Sequence, residues 1–176
     1  MNNKTILALD CETTGLNPDV DQIVEITMIT LSTLNDLTPI EVTYKLRPTV
    51  RISPEAQKLH GLSAEILAKY PTFADCSEQF KIALDTAEVL VGYRIDFDIG
   101  ILSGEFRRCG SSLPHWSDKI ILDPYHNVRL QGGRRLIDIY KKLFGEIYMP
   151  QHSSLADARA VLRIAEYCSS KFSGNS

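Results

Sequence analysis

At 176 residues, 44% hydrophobic and 23% charged, the chain has the length and composition of one soluble globular domain with a substantial core. A formal net charge of −3 excludes general electrostatic attraction to nucleic acid, so a polyanion would have to be held by local basic groups or by bound metal. No N-terminal apolar stretch follows basic residues and no run approaches the roughly 20 apolar residues of a membrane span, which makes the cytoplasm the expected location. The cysteines, Cys11, Cys76, Cys109 and Cys168, are far apart and form no CxxC pair, so neither a zinc site nor a disulfide framework is indicated.

Taken in order, the first element is the apolar run Thr5 to Leu9, which has the length and β-branched content of a buried strand. Asp10-Cys11-Glu12-Thr13-Thr14-Gly15 follows, with Asp10 and Glu12 at the expected end of that strand. Residues two apart in a strand project to one side, so these two like charges need a positive compensator. A hard divalent cation, Mg²⁺ or Mn²⁺, supplies it through oxygen ligands. Taken alone, Asp-x-Glu reads more readily as a solvated strand end, and the matter turns on whether further ligands follow. Gly15 lets the chain turn away, and Asn17-Pro18-Asp19 has turn chemistry.

Ile23 to Leu31 and Ile40 to Leu46 read as second and third strands of an antiparallel meander. Glu25, among apolar neighbours, is within reach of the carboxylate site, although its type and place favour an edge or solvent-facing residue. Ser53-Pro54 is a cap followed by proline, which predicts a helix through Leu59. His60-Gly61-Leu62-Ser63 ends that helix and caps the next; His60 either lines a substrate site or satisfies backbone groups in the turn. Thr72 to Thr86 is an amphipathic helix leading into a fourth strand, Glu88 to Val91, closed by Gly92.

Asp96 to Cys109 carries Phe97, Ile101, Leu102 and Phe106 at helical spacing. Asp96 reads as its cap, while Asp98 in the first turn can reach back to the strand ends. Lys119 to Leu122 is a fifth strand, and Asp123-Pro124 is a structural helix start. Arg129, Gly132-Gly133 and Arg134-Arg135 make a basic segment that either contacts phosphates or is simply solvated. Leu136 to Phe144 is helical and Gly145 stops it. The last helix opens with His152-Ser153-Ser154, has Ser153 as its cap and presents Leu155, Ala158, Val161, Leu162, Ala165 and Cys168 on one face. His152 and Asp157 are separated by roughly one and a half turns, close enough to face one small site.

The set Asp10/Glu12, Phe97-Asp98-x-x-x-Leu102 and His152-x-x-x-x-Asp157 resembles the three motifs of the DEDDh group of 3′→5′ exonucleases, over nearly the whole chain. The proofreading, epsilon-type exonucleases are the nearest in pattern. This resemblance implies an α/β, ribonuclease H-like fold, with a five-stranded mixed sheet of three antiparallel strands followed by two parallel ones, flanked by helices. Residues 1–170 would be the exonuclease domain and 171–176 a polar tail. Asp10, Glu12, Asp98 and Asp157 would bind two Mg²⁺ ions, which Mn²⁺ can replace, with His152 as general base. Thr13, Thr14, Gly15, Leu16, His60 and Phe97 would seat the terminal nucleotide.

The implied activity is metal-dependent release of nucleoside 5′-monophosphates from single-stranded 3′ ends of DNA, in proofreading or repair. RNA trimming of the ribonuclease T or oligoribonuclease type is the alternative, and a catalytically silent nucleic-acid-binding domain a more distant one. Polymerase association and a homodimer are also within the family's range, and a membrane is not. Tyr93 and Arg94 stand where the family usually has His-Asn, and Ser154 where many relatives have alanine. The chain also ends soon after the third motif, without the polymerase-binding tail of the bacterial proofreading subunit, so a stable place in a replicase is not expected.

Overall fold

The computed structural model describes residues 4–31, 38–127, 135–149 and 152–173. Strands β1 (Ile6–Thr13), β2 (Ile23–Leu31), β3 (Ile40–Lys45), β4 (Val89–Val91) and β5 (Ile120–Leu122) form one mixed sheet in the order β3-β2-β1-β4-β5. β2 runs antiparallel to both its neighbours, β1 and β3, whereas β4 and β5 run parallel to β1 and are reached through helices. Around them lie α1 (Pro54–His60), α2 (Ala64–Leu67), α3 (Phe73–Thr86), α4 (Ile95–Arg108), α5 (Pro124–Asn127), α6 (Leu136–Phe144) and α7 (Ser154–Ser173). This is the predicted fold class. The Gly132-Gly133 segment with Arg129 and Arg134 lies outside the described residues.

β1 corrects one expectation. It does not stop before the acidic motif but runs through it, since β2 keeps pairing with it from Ile6↔Leu31 to Glu12↔Glu25, and past a bulge to Thr13↔Ile23. β4 pairs only with Ile6 to Ala8, so Asp10 to Thr13 have a strand neighbour on one side alone. Charged residues are thereby accommodated inside a strand.

The pleat divides the sheet into two faces. On one, Leu7, Leu9, Cys11, Ile26, Met28 and Leu90 pack under α3 and α4, with Phe80 and Phe106 almost fully buried. Phe73 meets both rings, at centroid distances of 5.2 and 5.1 Å, which adds about 0.5–1.5 kcal/mol per pair beyond burial. On the other face Ala8, Ile29, Val89 and Val91 lie under Leu136, Ile139 and Tyr140 of α6 and Ala158, Val161 and Leu162 of α7. Along β1 and β2 this second face turns from apolar, at Ala8 and Ile29, to acidic, at Asp10, Glu12 and Glu25. The polar end is left uncovered by the apolar stripe of α7.

The starts of α1, α2 and α3 follow local chemistry. Ser53 and Ser63 accept from the amides of Ala56 and Ile66, and Thr72 with Asp75 closes a capping box. For α4, however, Asp96 is not the cap. Asp123 accepts from the Arg94 amide at 3.1 Å and the Ile95 amide at 3.2 Å, and also from Tyr125 N at 2.9 Å in its own turn. A residue expected to start one short helix thus also caps the helix that carries Asp98. Arg94 enters α4 with φ 56° in the left-handed region.

Candidate active site

Carboxylate oxygens of Asp10, Glu12 and Asp157 lie within 4.8 Å of one another. β1 supplies the first two from adjacent positions on one face, and the first turn of α7 supplies the third. Asp98 is outside this trio, buried to 4% exposure at the point where β1 outlasts β4. There it accepts hydrogen bonds from the Cys11 backbone amide and thiol.

Burial raises every one of these acids, and at Asp10 and Glu12 the crowding of like charge adds to it. Burial pushes Asp10 well above the carboxylate range, helped by Asp98, Asp157, Glu12 and Glu25. Glu12 is pushed up to about 8 by burial and then by Asp157, Glu25 and Asp98. Burial lifts Asp98 to about 7 against the hydrogen bonds from Cys11, and lifts Asp157 against a hydrogen bond from Tyr148 and the neighbouring His152. Asp157 Oδ1 is buried and has no hydrogen-bond partner among the described residues. An orphaned carboxylate oxygen beside two further carboxylates is an all-oxygen donor set, which fits a hard divalent cation. The fit also explains why acids would be gathered where water alone cannot offset them.

His152 is exposed at the start of α7 with φ 58°, a left-handed conformation for which histidine is enriched. Ser153 begins the helix through its carbonyl, which accepts from Asp157 N at 3.0 Å. The turn after Glu12 is built around Asp21. Its carboxylate accepts from Thr14 Oγ1 at 2.7 Å and from Asn17 N at 2.8 Å, and a Cβ on Gly15 would stand 2.6 Å from it. Thr13 Oγ1 donates to the Gly15 carbonyl at 2.6 Å. The Thr13 and Thr14 hydroxyls are therefore committed within the turn, whereas the Leu16 side chain is 83% exposed and Phe97 is half-buried.

His60 is held equally firmly. Its Nδ1 accepts from Leu62 N at 3.0 Å, which leaves the proton on Nε2 to donate to the Thr13 carbonyl at 3.2 Å. Both ring nitrogens thus satisfy backbone groups of the turn. Arg135 pairs with Asp138, Nε to Oδ2 at 2.8 Å and Nη2 to Oδ1 at 2.9 Å.

Tyr148 and Arg108 went unrecognised in the sequence, and Glu25 departs from the edge or solvent-facing place expected for it. Glu25 is not solvent-facing: β2 lies between β1 and β3, its side chain is buried on the acidic face, and it stands opposite Glu12. Tyr148 reaches Asp157 from the loop after α6, packed edge-on against Tyr140 with centroids 5.1 Å apart. Arg108 grips the Pro18 and Asp21 carbonyls at 3.1 and 2.6 Å, tying the turn to α4. No motif marks Tyr148 or Arg108. For Glu25 the signal was an acid inside an otherwise apolar strand.

The sequence model of the exonuclease family RNase_T matches residues 7–165. The chain belongs to this exonuclease family. Relatives of this exonuclease include the DNA polymerase III epsilon subunit of Pasteurella multocida (strain Pm70), 31% identical over 107 residues, 58% of this chain and 42% of the relative. The epsilon subunit of Escherichia coli (strain K12) is 31% identical over 113 residues, 61% of this chain and 46% of the relative. The chain spans less than half the length of these relatives.

Among solved structures, the zinc-bound complex of E. coli exonuclease I with single-stranded DNA matches with a TM-score of 0.81 at 17% identity, over 97% of this chain and 41% of that chain. Its complex with a dT13 oligonucleotide gives 0.79 at 18% identity, over 93% and 40%. At such identities these matches speak for the fold alone. Family model, relatives and fold agree in placing the chain among exonucleases of this family. No helix among the described residues is long and apolar enough to cross a membrane.

Proposed function

We propose that this exonuclease acts in the cytoplasm on single-stranded DNA with a free 3′ end, releasing nucleoside 5′-monophosphates one at a time in proofreading or repair. The observation that carries the reading is the cluster of Asp10, Glu12 and Asp157 with Asp98 beside it, set next to an exposed turn. Residues 1–170 form the catalytic domain in this reading. Asp10, Glu12, Asp98 and Asp157 would hold two Mg²⁺ ions, or Mn²⁺ in their place. Bound there, such ions activate the attacking water and offset charge on the phosphate and the departing 3′-oxygen.

The protein's own groups then have separate tasks. His152, exposed at the rim beside Asp157, takes the proton of the attacking water. Leu16, protruding from the turn that Asp21 and Arg108 hold, offers an apolar surface to the terminal base, and half-buried Phe97, next to Asp98 in the chain, offers a second. The turn's backbone and Gly15 shape the floor. An unpaired terminal nucleotide is required, because a paired base could not lie against both surfaces. Relatives named as polymerase subunits support association with a polymerase, and the exonuclease I complexes support single-stranded DNA as ligand. Homodimer formation rests on family resemblance, and sedimentation would test it.

The deciding measurement compares matched 5′-labelled single strands of DNA and RNA in Mg²⁺, in Mn²⁺ and in excess chelator. The expected result is stepwise shortening of the DNA from its 3′ end with mononucleotide product, slowed by a 3′-phosphate or an annealed blunt end. Asp98→Asn and Asp157→Asn should abolish it while the fold is retained. Faster degradation of RNA would replace the DNA reading by an exoribonuclease; internal fragments or full turnover in chelator would overturn the mechanism.

A further inference from the structure

Directly opposed residues of antiparallel strands share a face. Two polar rows therefore cross β1, β2 and β3 beneath the start of α7: Glu12, Glu25 and Lys45 in one, Asp10, Thr27 and Thr43 in the next. Glu25 is buried to 8% exposure. Its Oε1 accepts the Ser154 hydroxyl at 2.7 Å and approaches the Ser154 amide at 3.3 Å, while Oε2 stands 3.9 Å from Lys45 Nζ.

Ser154 is fully buried, and its hydroxyl oxygen lies 2.8 Å from Thr27 Oγ1, which in turn lies 2.7 Å from Thr43 Oγ1. With the Ser154 proton committed to Glu25, the direction of the rest follows. Thr27 donates to Ser154, and Thr43 donates to Thr27, a chain in which each bond polarises the next. It ends on the first residue of α7, two positions after His152 and three before Asp157.

We infer that Glu25, acting through Ser154, is a positioning residue that fixes the first turn of α7 on the sheet, so that His152 and Asp157 face Asp10 and Glu12. Without this clasp the first turn of α7 loses the carboxylate that holds both its hydroxyl and its amide on β2, and keeps there the Thr27 hydroxyl, with the apolar stripe of α7 seated further along. Glu25 is a buried acid facing other acids; its fixed hydrogen bonds account for its presence without making it a ligand, and the trio within 4.8 Å does not include it. The inference deepens the proposed function and rests on it for its kinetic readout.

The experiment compares wild type, Glu25→Ala, Glu25→Gln, Ser154→Ala and the Glu25→Ala/Ser154→Ala double variant. Three quantities are measured on each: Mn²⁺ affinity by calorimetry without substrate, kcat and KM on single-stranded DNA, and melting temperature. Glu25→Ala should weaken Mn²⁺ binding and lower kcat by roughly 10- to 100-fold, the range found when groups that orient metal ligands are removed, with KM little changed. Glu25→Gln, whose amide oxygen still accepts from Ser154, should recover most of both losses. Ser154→Ala should show a smaller loss, and the double variant no more than Glu25→Ala.

A Gln variant as impaired as the Ala variant would assign Glu25 a role through charge and overturn the clasp. So would losses that multiply in the double variant. If Glu25→Ala fails to fold, unaltered Mn²⁺ binding by folded Ser154→Ala overturns the inference equally. A wild type that follows the expected Mn²⁺ pattern but degrades no nucleic acid supports the clasp and overturns the exonuclease reading instead.

Discussion

Asp123 and Ile95 are joined across the sheet end by a hydrogen bond of 3.2 Å, from the first amide of α4 to a carboxylate buried to 3% exposure in the loop after β5. That bond, with the one from Arg94, sets the angle at which α4 leaves the sheet and hence where Asp98 lies. Asp123→Ala leaves these amides unsatisfied in a buried place. The expected cost is about 1–3 kcal/mol of stability, read by denaturant titration. Activity should fall as well, and Asp123→Asn, which keeps one acceptor oxygen, should fall less. Wild-type stability in Asp123→Ala would show that α4 does not depend on this cap.

His152 has a different expected signature. A general base loses rate rather than binding, so His152→Ala should lower kcat by roughly 10²–10⁴-fold with Mn²⁺ affinity and KM less affected. A general base acts only in its unprotonated form, so the pH–rate profile should change with the substitution. Unchanged turnover and profile would reduce His152 to a loop residue.

The metal-free protein should lose stability as pH rises. Glu12 and Asp98 bind their protons more tightly folded, at about 8 and about 7, than at the ordinary 4.5 and 3.8. Their contribution is therefore fully present below the ordinary values and disappears as pH climbs through the raised ones. In chelator the melting temperature should fall between about pH 5 and about pH 8, and added Mg²⁺ should restore more at the upper end than at the lower. A melting temperature in chelator that rises across this window would contradict the picture of an acid cluster awaiting cations.

Gly104 tests the link between α4 and the turn after the first motif. A Cβ there would stand 2.1 Å from the Pro18 carbonyl oxygen, a backbone atom that Arg108 also holds. Gly104→Ala should push the turn off α4, destabilising by about 1–3 kcal/mol and raising KM for single-stranded DNA through displaced Leu16. Unaltered KM would separate the turn's seating from nucleotide binding.

Much of this protein is legible residue by residue. β2 from Ile23 to Leu31 and α6 from Leu136 to Phe144 follow from apolar periodicity and their flanking residues, and the starts of α1, α2 and α3 from serine and threonine caps. These are local properties, fixed by neighbours within a turn or a pleat. The spacing of Asp10, Glu12, Asp98 and Asp157 is legible for a different reason: together with His152 they complete three short motifs in order along the chain.

What only the tertiary structure decided depends on partners far along the chain. β1 runs on through the acidic motif because β2 pairs there, and Asp98 finds its place because β4 stops short. Asp123, not Asp96, caps α4, across 28 positions from Ile95. Glu25 is buried because β2 has a strand on either side, and its bond to Ser154 spans 129 positions. A carboxylate's charge and hydrogen-bonding capacity are written in its type, but whether water or another part of the chain satisfies them is set by which surfaces the packed sheet brings together.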